Sequence, residues 1–290
     1  TIIMKVVSIV LLTFASLHGL HAQSDKANQQ FKTVDDALIH KTVATWLDLS
    51  KQNLKILPDS LFQLTQLQYL DLSWNQLESI PKEIGRLKKL KYLVLSYNQL
   101  KLIPKELANL TLLQTLYLDH NPQIELEKAM PVLAALRSLK VLSLAGDNIS
   151  VVPPSITKIK RLESLELSDN TFTKLPDNIP QLKYLKVLYI NNDAFFNLEQ
   201  NIRLIRRLKN LNEVHFENND LTSIPSNIKD LKVQYLFLVG NKIHDLPPEI
   251  NQMKKLRLID LSENPLPPPI YEDYHRQLDP KVIIRLRKNN

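Results

Sequence analysis

The stretch "LQYLDLSWNQL", residues 67–77, recurs with small changes along most of the 290-residue chain. Its leucines occupy positions 1, 4, 6 and 11 of the pattern, and Asn75 occupies position 9. Successive copies begin 22, 23 or 26 residues apart. A leucine pattern with a period of this size predicts a solenoid. The ten copies start at Ala44, Leu67, Leu90, Leu113, Leu139, Leu162, Leu185, Leu211, Val233 and Leu256.

One such repeat cannot fold by itself. Its few leucines and isoleucines bury too little apolar surface to offset the conformational entropy that is lost when 23 residues become ordered. Stacked repeats share their leucine layers and their strand hydrogen bonds, so stability becomes a sum over neighbouring repeats.

The second half of the repeat carries a resemblance to a known family. It is seen in "LESIPKEIGRLKKL" (77–90) and "LTSIPSNIKDLK" (221–232). These segments resemble the 23-residue [LI]PxxIxxL class of leucine-rich repeats, found in intracellular Ras-binding scaffolds and in exported bacterial proteins. The resemblance extends over about residues 44–266. It implies an α/β solenoid: a right-handed superhelix with a parallel sheet on its concave side and short 3-10 or irregular segments on its convex side.

Position 9 carries an asparagine in seven repeats, and we interpret these asparagines as structural. A carboxamide both donates and accepts hydrogen bonds, so a stacked column can satisfy backbone groups that the turn after each strand leaves unpaired. The seven are Asn75, Asn98, Asn121, Asn170, Asn219, Asn241 and Asn264.

Proline at position 15 marks the turn into the return segment in seven repeats, and the two 26-residue repeats lack it. In the second of these, Leu198, Ile202 and Ile205 recur at helical spacing, and Asn197 precedes them as a possible N-cap. Both long repeats are therefore predicted to contain α-helices.

The remaining segments give a domain plan. Residues 1–22 have a lysine, an apolar run over 6–17 and small residues near Ala22, which predicts a signal peptide; a membrane anchor or an internal apolar stretch is the alternative. Residues 23–43 are predicted to form an N-terminal capping helix with Thr33 as N-cap, 44–266 the ten repeats, and 267–290 a C-terminal cap with a short helix and a last strand near 282–284.

This plan places the protein outside the cytoplasm, as a secreted, periplasmic or cell-surface protein. No run after residue 17 is long and apolar enough to span a bilayer, so no integral membrane span is expected. The chain has no cysteine, and its stability must therefore come from packing.

Aromatic side chains concentrate on the predicted open face. If positions 4 and 6 face the core, positions 3, 5 and 7 face the concave side and position 8 lies at its edge. We predict that these aromatics bind a ligand, because exposed aromatic clusters commonly mark interfaces; cross-strand stabilisation of the sheet is the alternative. The predicted ligand-binding residues are Trp46, Tyr69, Trp74, Tyr92, Tyr97, Tyr117, His120 and Tyr189.

Charge is unevenly distributed. The chain has a formal charge of +7, yet positions 3, 5, 7 and 8 hold nine acidic residues and one lysine, Lys51. An acidic concave face argues against a nucleic acid partner, since phosphate binding needs a basic track. The basic residues elsewhere are interpreted as a solvated face, with contact to anionic cell-envelope polymers as the alternative. The nine are Asp48, Asp71, Asp119, Glu166, Asp169, Glu213, Glu217, Asp260 and Glu263.

No motif for catalysis is visible. The chain has four glycines and no GxGxxG, GxxxxGK[ST], HExxH, GxSxG or CxxC motif, so no enzyme activity, cofactor or metal is predicted. The sequence favours an exported, non-enzymatic module that binds a protein or peptide, as a monomer or with weak self-association. The alternative is a structural or self-associating cell-envelope protein without a dedicated ligand groove.

Overall fold

The repeats build one open, parallel β-sheet in which the strands follow each other in chain order. A computed structural model describes residues 29–267 and 278–286. Its twelve strands are β1 Gln30–Phe31, β2 Trp46–Asp48, β3 Tyr69–Asp71, β4 Tyr92–Val94, β5 Thr115–Tyr117, β6 Val141–Ser143, β7 Ser164–Glu166, β8 Val187–Tyr189, β9 Glu213–His215, β10 Tyr235–Phe237, β11 Leu258–Asp260 and β12 Ile283–Arg285.

Each repeat strand consists of positions 3 to 5, and the register brings equivalent positions together. Leu47 pairs with Leu70, and Leu70 with Leu93. These position-4 side chains are fully buried, whereas most side chains at positions 3 and 5 are partly exposed. The alternation predicted from the sequence is therefore confirmed for positions 3 to 5, but most residues at position 7 are buried and not exposed as predicted. We call the sheet face that bears positions 3 and 5 the concave face.

The return segments differ between short and long repeats, as the prolines predicted. Short repeats return through 3-10 helices, and in most of them the position-15 proline directly precedes the helix. The described 3-10 helices are Asp59–Gln63, Lys82–Arg86, Lys105–Asn109, Pro154–Lys158, Ile179–Gln181, Ser226–Asp230 and Pro248–Gln252. The two long repeats contain α-helices, α2 Leu126–Ala135 and α3 Leu198–Ile205. The Asn197 side chain caps α3 by accepting a hydrogen bond from the backbone N–H of Gln200 at 2.9 Å.

The asparagine column joins neighbouring repeats through their backbones. Asn75 Oδ1 accepts hydrogen bonds from the backbone N–H groups of Gln52 and Leu54 in the preceding repeat, at 3.1 and 2.9 Å. Its Nδ2 donates to the carbonyls of Leu49 and Leu72, both at 2.9 Å. Because these groups lie where the chain leaves the sheet and have no strand partner, the column has the structural role that the sequence predicted.

The sheet extends beyond the ten repeats at both ends. The last strand, β12, was predicted near 282–284, whereas β1 was not predicted. Phe31 in β1 pairs with Leu47 and is buried, so it covers the first leucine layer. A short helix, α1 Val34–Ile39, follows, and the Thr33 hydroxyl caps it by accepting a hydrogen bond from Asp36 N. A two-residue strand has no sequence period, which explains why β1 was missed.

At the other end, β12 pairs with β11 in register, Ile284 beside Ile259. It lies within one residue of the last strand predicted at 282–284. The predicted signal peptide and the helix expected before β12 fall outside the described residues. The described residues 278–281 form a turn that leads into β12. No described helix is long and apolar enough to cross a membrane.

Candidate functional site

Position 8 has an unusual backbone conformation in all ten repeats. Its φ angle lies between 54° and 68°, in the left-handed region. The backbone N–H of this position still bonds to the next repeat, as in Trp74 N–H to the Ser96 carbonyl at 3.0 Å. The chain then turns inward to the asparagine at position 9. The ten residues are Lys51, Trp74, Tyr97, His120, Gly146, Asp169, Asn192, Asn218, Gly240 and Glu263.

Five of these residues, Lys51 and Glu263 among them, do not suit that conformation, and the other three are aromatic. Glycine adopts the left-handed region freely and asparagine tolerates it, but other L-residues lose about 1–2 kcal/mol there. Trp74, Tyr97 and His120 nevertheless occupy it in three consecutive repeats. Backbone preference therefore does not explain why aromatic residues stand at these positions.

The three side chains form a continuous stack. The Trp74 and Tyr97 rings lie 3.8 Å apart and nearly parallel, at 9°. The Tyr97 and His120 rings follow at 4.2 Å and 31°. The ammonium group of Lys51 lies 5.9 Å from the centre of the Trp74 ring. Because parallel strands all end at one side of the sheet, we call that side the carboxyl edge and these three rings the carboxyl-edge stack.

The carboxyl-edge stack ends against a glycine. A Cβ atom at Gly146 would lie 2.7 Å from His120 Nδ1, so only glycine leaves room for the imidazole ring. His120 Nδ1 is buried and has no hydrogen-bond partner among the described residues. At the other end Trp74 keeps 40% of its surface exposed. The stack thus presents its tryptophan to solvent.

A second group of predicted residues lines the first strands of the concave face. Trp46, Tyr69 and Tyr92 occupy position 3, with ring centres 4.8 and 6.2 Å apart. The Tyr69 hydroxyl donates to Asp71 at 3.4 Å, and burial, followed by the nearby carboxylates, raises the pKa of Tyr69. All three rings are half-buried, so they pack against one another more than the sequence suggested. Such a row of rings can stabilise the sheet by packing and can also contact a ligand.

The last two predicted residues lie farther along the sheet, at position 5. Tyr117 is half-buried in β5 and pairs with Val94 and Ser143. Tyr189 lies three strands away in β8, apart from the other seven. The structure therefore divides the predicted set into the carboxyl-edge stack, the position-3 row and two separate tyrosines.

Tyr189 belongs to a row that sequence analysis missed. His215 stacks on Tyr189 at 4.3 Å and on Phe237 at 4.2 Å, so its ring is enclosed on both faces. Its Nε2 contacts Glu213 at 2.7 Å and its Nδ1 contacts Glu217 at 2.8 Å. The signal was present in the sequence, because all three rings occupy position 5 of consecutive repeats.

The two glutamates set the protonation of this histidine. Burial acts most strongly and lowers the pKa of His215, but the hydrogen bonds and charges of Glu213 and Glu217 together outweigh it. The net result is a pKa above the usual value, which favours imidazolium between two carboxylates.

Among the described residues, lysine and arginine side chains pair with the acidic residues of the concave face near its two ends. Lys32 pairs with Asp48, and Arg285 pairs with Asp260 at 3.8 Å. In the middle, the described residues provide no lysine or arginine ion pair for Asp71, Asp119 or Glu166. Burial raises the pKa of Glu166 to about 7.

No group of three or more histidine, aspartate or glutamate side chains in the described part of the chain is arranged to hold a metal ion. The side chains described on the concave face include many aromatic and acidic residues, which are suited to noncovalent binding.

The repeats can now be compared with known families. A leucine-rich repeat family model matches residues 42–100 and 75–122, and a second leucine-rich repeat model matches residues 161–182. The chain belongs to the leucine-rich repeat family. No curated protein sequence matches this leucine-rich repeat protein significantly.

Solved structures agree on the fold of this leucine-rich repeat protein. An internalin from Listeria monocytogenes is 18% identical, with a TM-score of 0.58 over 93% of this chain and 94% of its own. The plant peptide hormone receptor RGFR1, in complex with RGF2, is 19% identical, with a TM-score of 0.50 over 90% of this chain and 46% of its own. A Leptospira interrogans leucine-rich repeat protein is 24% identical over 89% of this chain and 99% of its own, with a TM-score of 0.41.

Proposed function

We propose that this leucine-rich repeat protein is an exported, non-enzymatic binding module that holds an extended, basic segment of a partner protein or peptide on its concave face. The observation that carries the proposal is the carboxyl-edge stack, where Trp74, Tyr97 and His120 occupy left-handed backbone positions in consecutive repeats. Because all ten repeats share this backbone at position 8, the site is marked by the run of three aromatic residues there and not by the backbone itself.

The aromatic groups support contact with a polypeptide. A tryptophan or tyrosine loses little rotamer freedom on binding, and such side chains anchor many interfaces. Trp74 is the exposed end of its stack, and the position-3 row lies on the adjoining strands, beginning at Trp46 and Tyr69. An extended segment that lies across the strands can contact both groups.

Charge complementarity supports a basic partner. In the part of the chain that the structure describes, the carboxylates in the middle of the concave face are not paired with lysine or arginine, and Glu213 and Glu217 are bridged by His215. An arginine or lysine of the partner would offset this charge. Complementary charge also speeds association and excludes acidic partners.

Export is supported by the predicted leader, residues 1–22. The solved structures of similar fold include a plant peptide hormone receptor in complex with RGF2. That similarity in fold supports the proposal of a peptide ligand.

A peptide display library tests the proposal without a known ligand. Random peptides are selected on the full-length protein, and the retained peptides are then measured against Trp74→Gly, which removes the ring and keeps a residue suited to the left-handed backbone. We expect enrichment of peptides that contain lysine or arginine, and a loss of at least about tenfold in affinity for Trp74→Gly.

Tyr184→Ala is the matched control, because Tyr184 is exposed and lies in the turn before β8, outside the carboxyl-edge stack and the position-3 row. It should bind the retained peptides like the wild type. Equal losses in both variants, or a failure to enrich any peptide together with concentration-dependent association in sedimentation velocity, would favour the structural, self-associating alternative.

A further inference from the structure

The opposite side of the sheet, where the strands begin, is strongly basic. We call it the amino edge and define it by the six residues that precede each strand from β4 to β11. These 48 residues contain eighteen lysines and arginines and two acidic residues, Glu163 and Asp230. The amino edge therefore carries a formal charge of +16, whereas the whole chain carries +7.

This charge is accessible to a partner. None of the eighteen basic side chains is buried. Only Lys140 and Lys186 form ion pairs within the described part of the chain, and both pair with Glu163, at 3.1 and 2.7 Å. The other sixteen have no acidic side chain within ion-pair distance there.

The parallel topology creates the row. Since every strand runs in the same direction, the turns that enter the strands lie side by side along one edge. Eight such turns at a strand spacing of ~4.8 Å give a row of roughly 35 Å. Charges on neighbouring turns are within one Debye length of each other, so they repel one another until an anion covers them.

We propose that the amino edge docks on the surface of an anionic lipid bilayer. A row of lysines and arginines is attracted to anionic headgroups, and each such residue near the surface strengthens binding several-fold. The proposal does not rest on the concave ligand, because no residue of the amino edge belongs to the carboxyl-edge stack or to the position-3 row.

Two apolar side chains on the same edge favour a bilayer over a nucleic acid. Leu112 and Tyr184 occupy the turn position that Lys89 and Arg161 occupy in other repeats, and they are 47% and 58% exposed. Tyrosine is favoured at the bilayer interface. Single-stranded nucleic acid binding instead needs several aromatic stacking platforms, and Tyr184 is the one aromatic side chain in the described amino edge.

The balance of basic residue types agrees with this choice. Thirteen of the eighteen are lysines and five are arginines. Arginine is the residue that recognises phosphates in a fixed bidentate geometry, whereas lysine acts as a point charge that tolerates a fluid surface. Docking through the amino edge also leaves the carboxyl-edge stack on the far side, open to its own ligand.

The test is sedimentation of the full-length chain with phosphatidylcholine vesicles that contain, or lack, roughly one-third phosphatidylglycerol. The edge variant combines three charge reversals, Lys89→Glu, Lys160→Glu and Lys254→Glu. The wild type should bind anionic vesicles, lose binding as salt is raised, and bind them at least about tenfold more tightly than the edge variant. Neutral vesicles measure any adhesion through the apolar run 6–17, which both proteins share.

The control variant combines Lys55→Glu, Lys82→Glu and Lys105→Glu. These lysines are exposed and lie outside the amino edge, and the control has the same net charge as the edge variant. It should keep wild-type vesicle binding. Replacement of Lys89, Lys160 and Lys254 by glutamine, with thermal unfolding of every variant, separates loss of charge from loss of folding.

Three results would overturn the proposal. They are equal loss of binding in the edge and control variants, equal binding of the wild type to neutral and anionic vesicles, and retention on an oligonucleotide with no binding to anionic vesicles. None of these results tests peptide binding on the concave face, so the proposed function is tested independently.

Discussion

Trp74 combines a backbone conformation that disfavours tryptophan with a ring contact that favours it. Its φ angle is 57°, and its ring stacks on Tyr97 at 3.8 Å. The ring contact contributes about 0.5–1.5 kcal/mol, while the left-handed conformation costs about 1–2 kcal/mol. The two effects nearly cancel, so the residue adds little to stability and is free to serve a surface role.

Comparing two substitutions at this residue separates these effects. Trp74→Ala removes the ring and keeps the strain, whereas Trp74→Gly removes both. We expect Trp74→Gly to be more stable than Trp74→Ala by about 1 kcal/mol in urea unfolding, despite the greater entropy of glycine in the unfolded chain. An alanine variant as stable as the glycine variant would mean that position 8 is not strained.

Asp147 interrupts the asparagine column. Its Oδ1 accepts a hydrogen bond from Asn121 N at 2.7 Å, but its Oδ2 is buried without a partner among the described residues. At this place seven repeats have an asparagine, whose amide donates to backbone carbonyls, as Asn121 Nδ2 does to the carbonyls of Leu95 and Leu118. Burial is the main reason that the pKa of Asp147 rises to about 9, which keeps the carboxyl protonated at neutral pH.

Asp147→Asn should therefore stabilise the protein in a pH-dependent manner. The wild-type acid has a higher pKa in the folded chain than its ordinary value of 3.8, so its relative contribution is greatest below about pH 4 and is lost as the pH rises toward about 9. Urea unfolding across this range should show a growing advantage of the variant, at least about 1–3 kcal/mol at the alkaline end. The reverse change, Asn170→Asp, should destabilise with the same pH dependence; a constant difference would contradict a buried titrating acid.

At the scale of the element, a repeat is a strand, a left-handed turn and a return segment around one leucine layer. The alternation in "LQYLDLSW" predicted the strand and its buried face, and missing prolines predicted α2 and α3. Both predictions succeeded because hydrophobic period and proline act locally. The carboxyl-edge stack was only partly predictable, since tryptophan at position 8 gives no sign of a left-handed backbone.

The missing information lay in other repeats. Gly146, Gly240, Asn192 and Asn218 occupy position 8, and these residue types together indicate the left-handed region. A comparison of position 8 across all the repeats would have predicted this backbone conformation. The distances between rings, and the contacts of Glu213 and Glu217 with His215, depend on side-chain rotamers and on neighbouring strands. The repeat pattern of the sequence does not predict either.

Leu72 tests the leucine layer of such an element. It is fully buried between repeats, so Leu72→Ala should cost about 2–5 kcal/mol by opening a cavity. Leu102→Ala is the control with the same chemistry, because Leu102 is 48% exposed and should change the unfolding free energy by less than about 0.5–1 kcal/mol. Similar losses in both variants, measured by urea unfolding, would show that burial in the leucine layer does not set the cost.

At the scale of the whole molecule, stability passes from neighbour to neighbour along the sheet. One apolar core runs from Phe31 to Val282, and short strands cover its two ends. Loss of an end should therefore unfold the nearest repeats first and leave distant ones intact.

Phe31→Ala tests this local behaviour. Phe31 is 4% exposed and covers the first repeat, so its truncation should cost about 3 kcal/mol there. Hydrogen exchange should accelerate in β2 and β3 and stay unchanged in β10 and β11. Ile284→Ala should produce the mirror image at the other end, and uniform acceleration along the sheet would show instead that the solenoid unfolds as one unit.

The common direction of the strands gives the molecule a polarity that a sheet of alternating strands lacks. Lysines collect where strands begin and stacked rings where strands end. Copies adsorbed through the lysines would all stand in one orientation, with their rings displayed at the same height. A dense layer of such copies would present many identical aromatic sites to a multivalent partner. Avidity would then compensate for weak binding at each site.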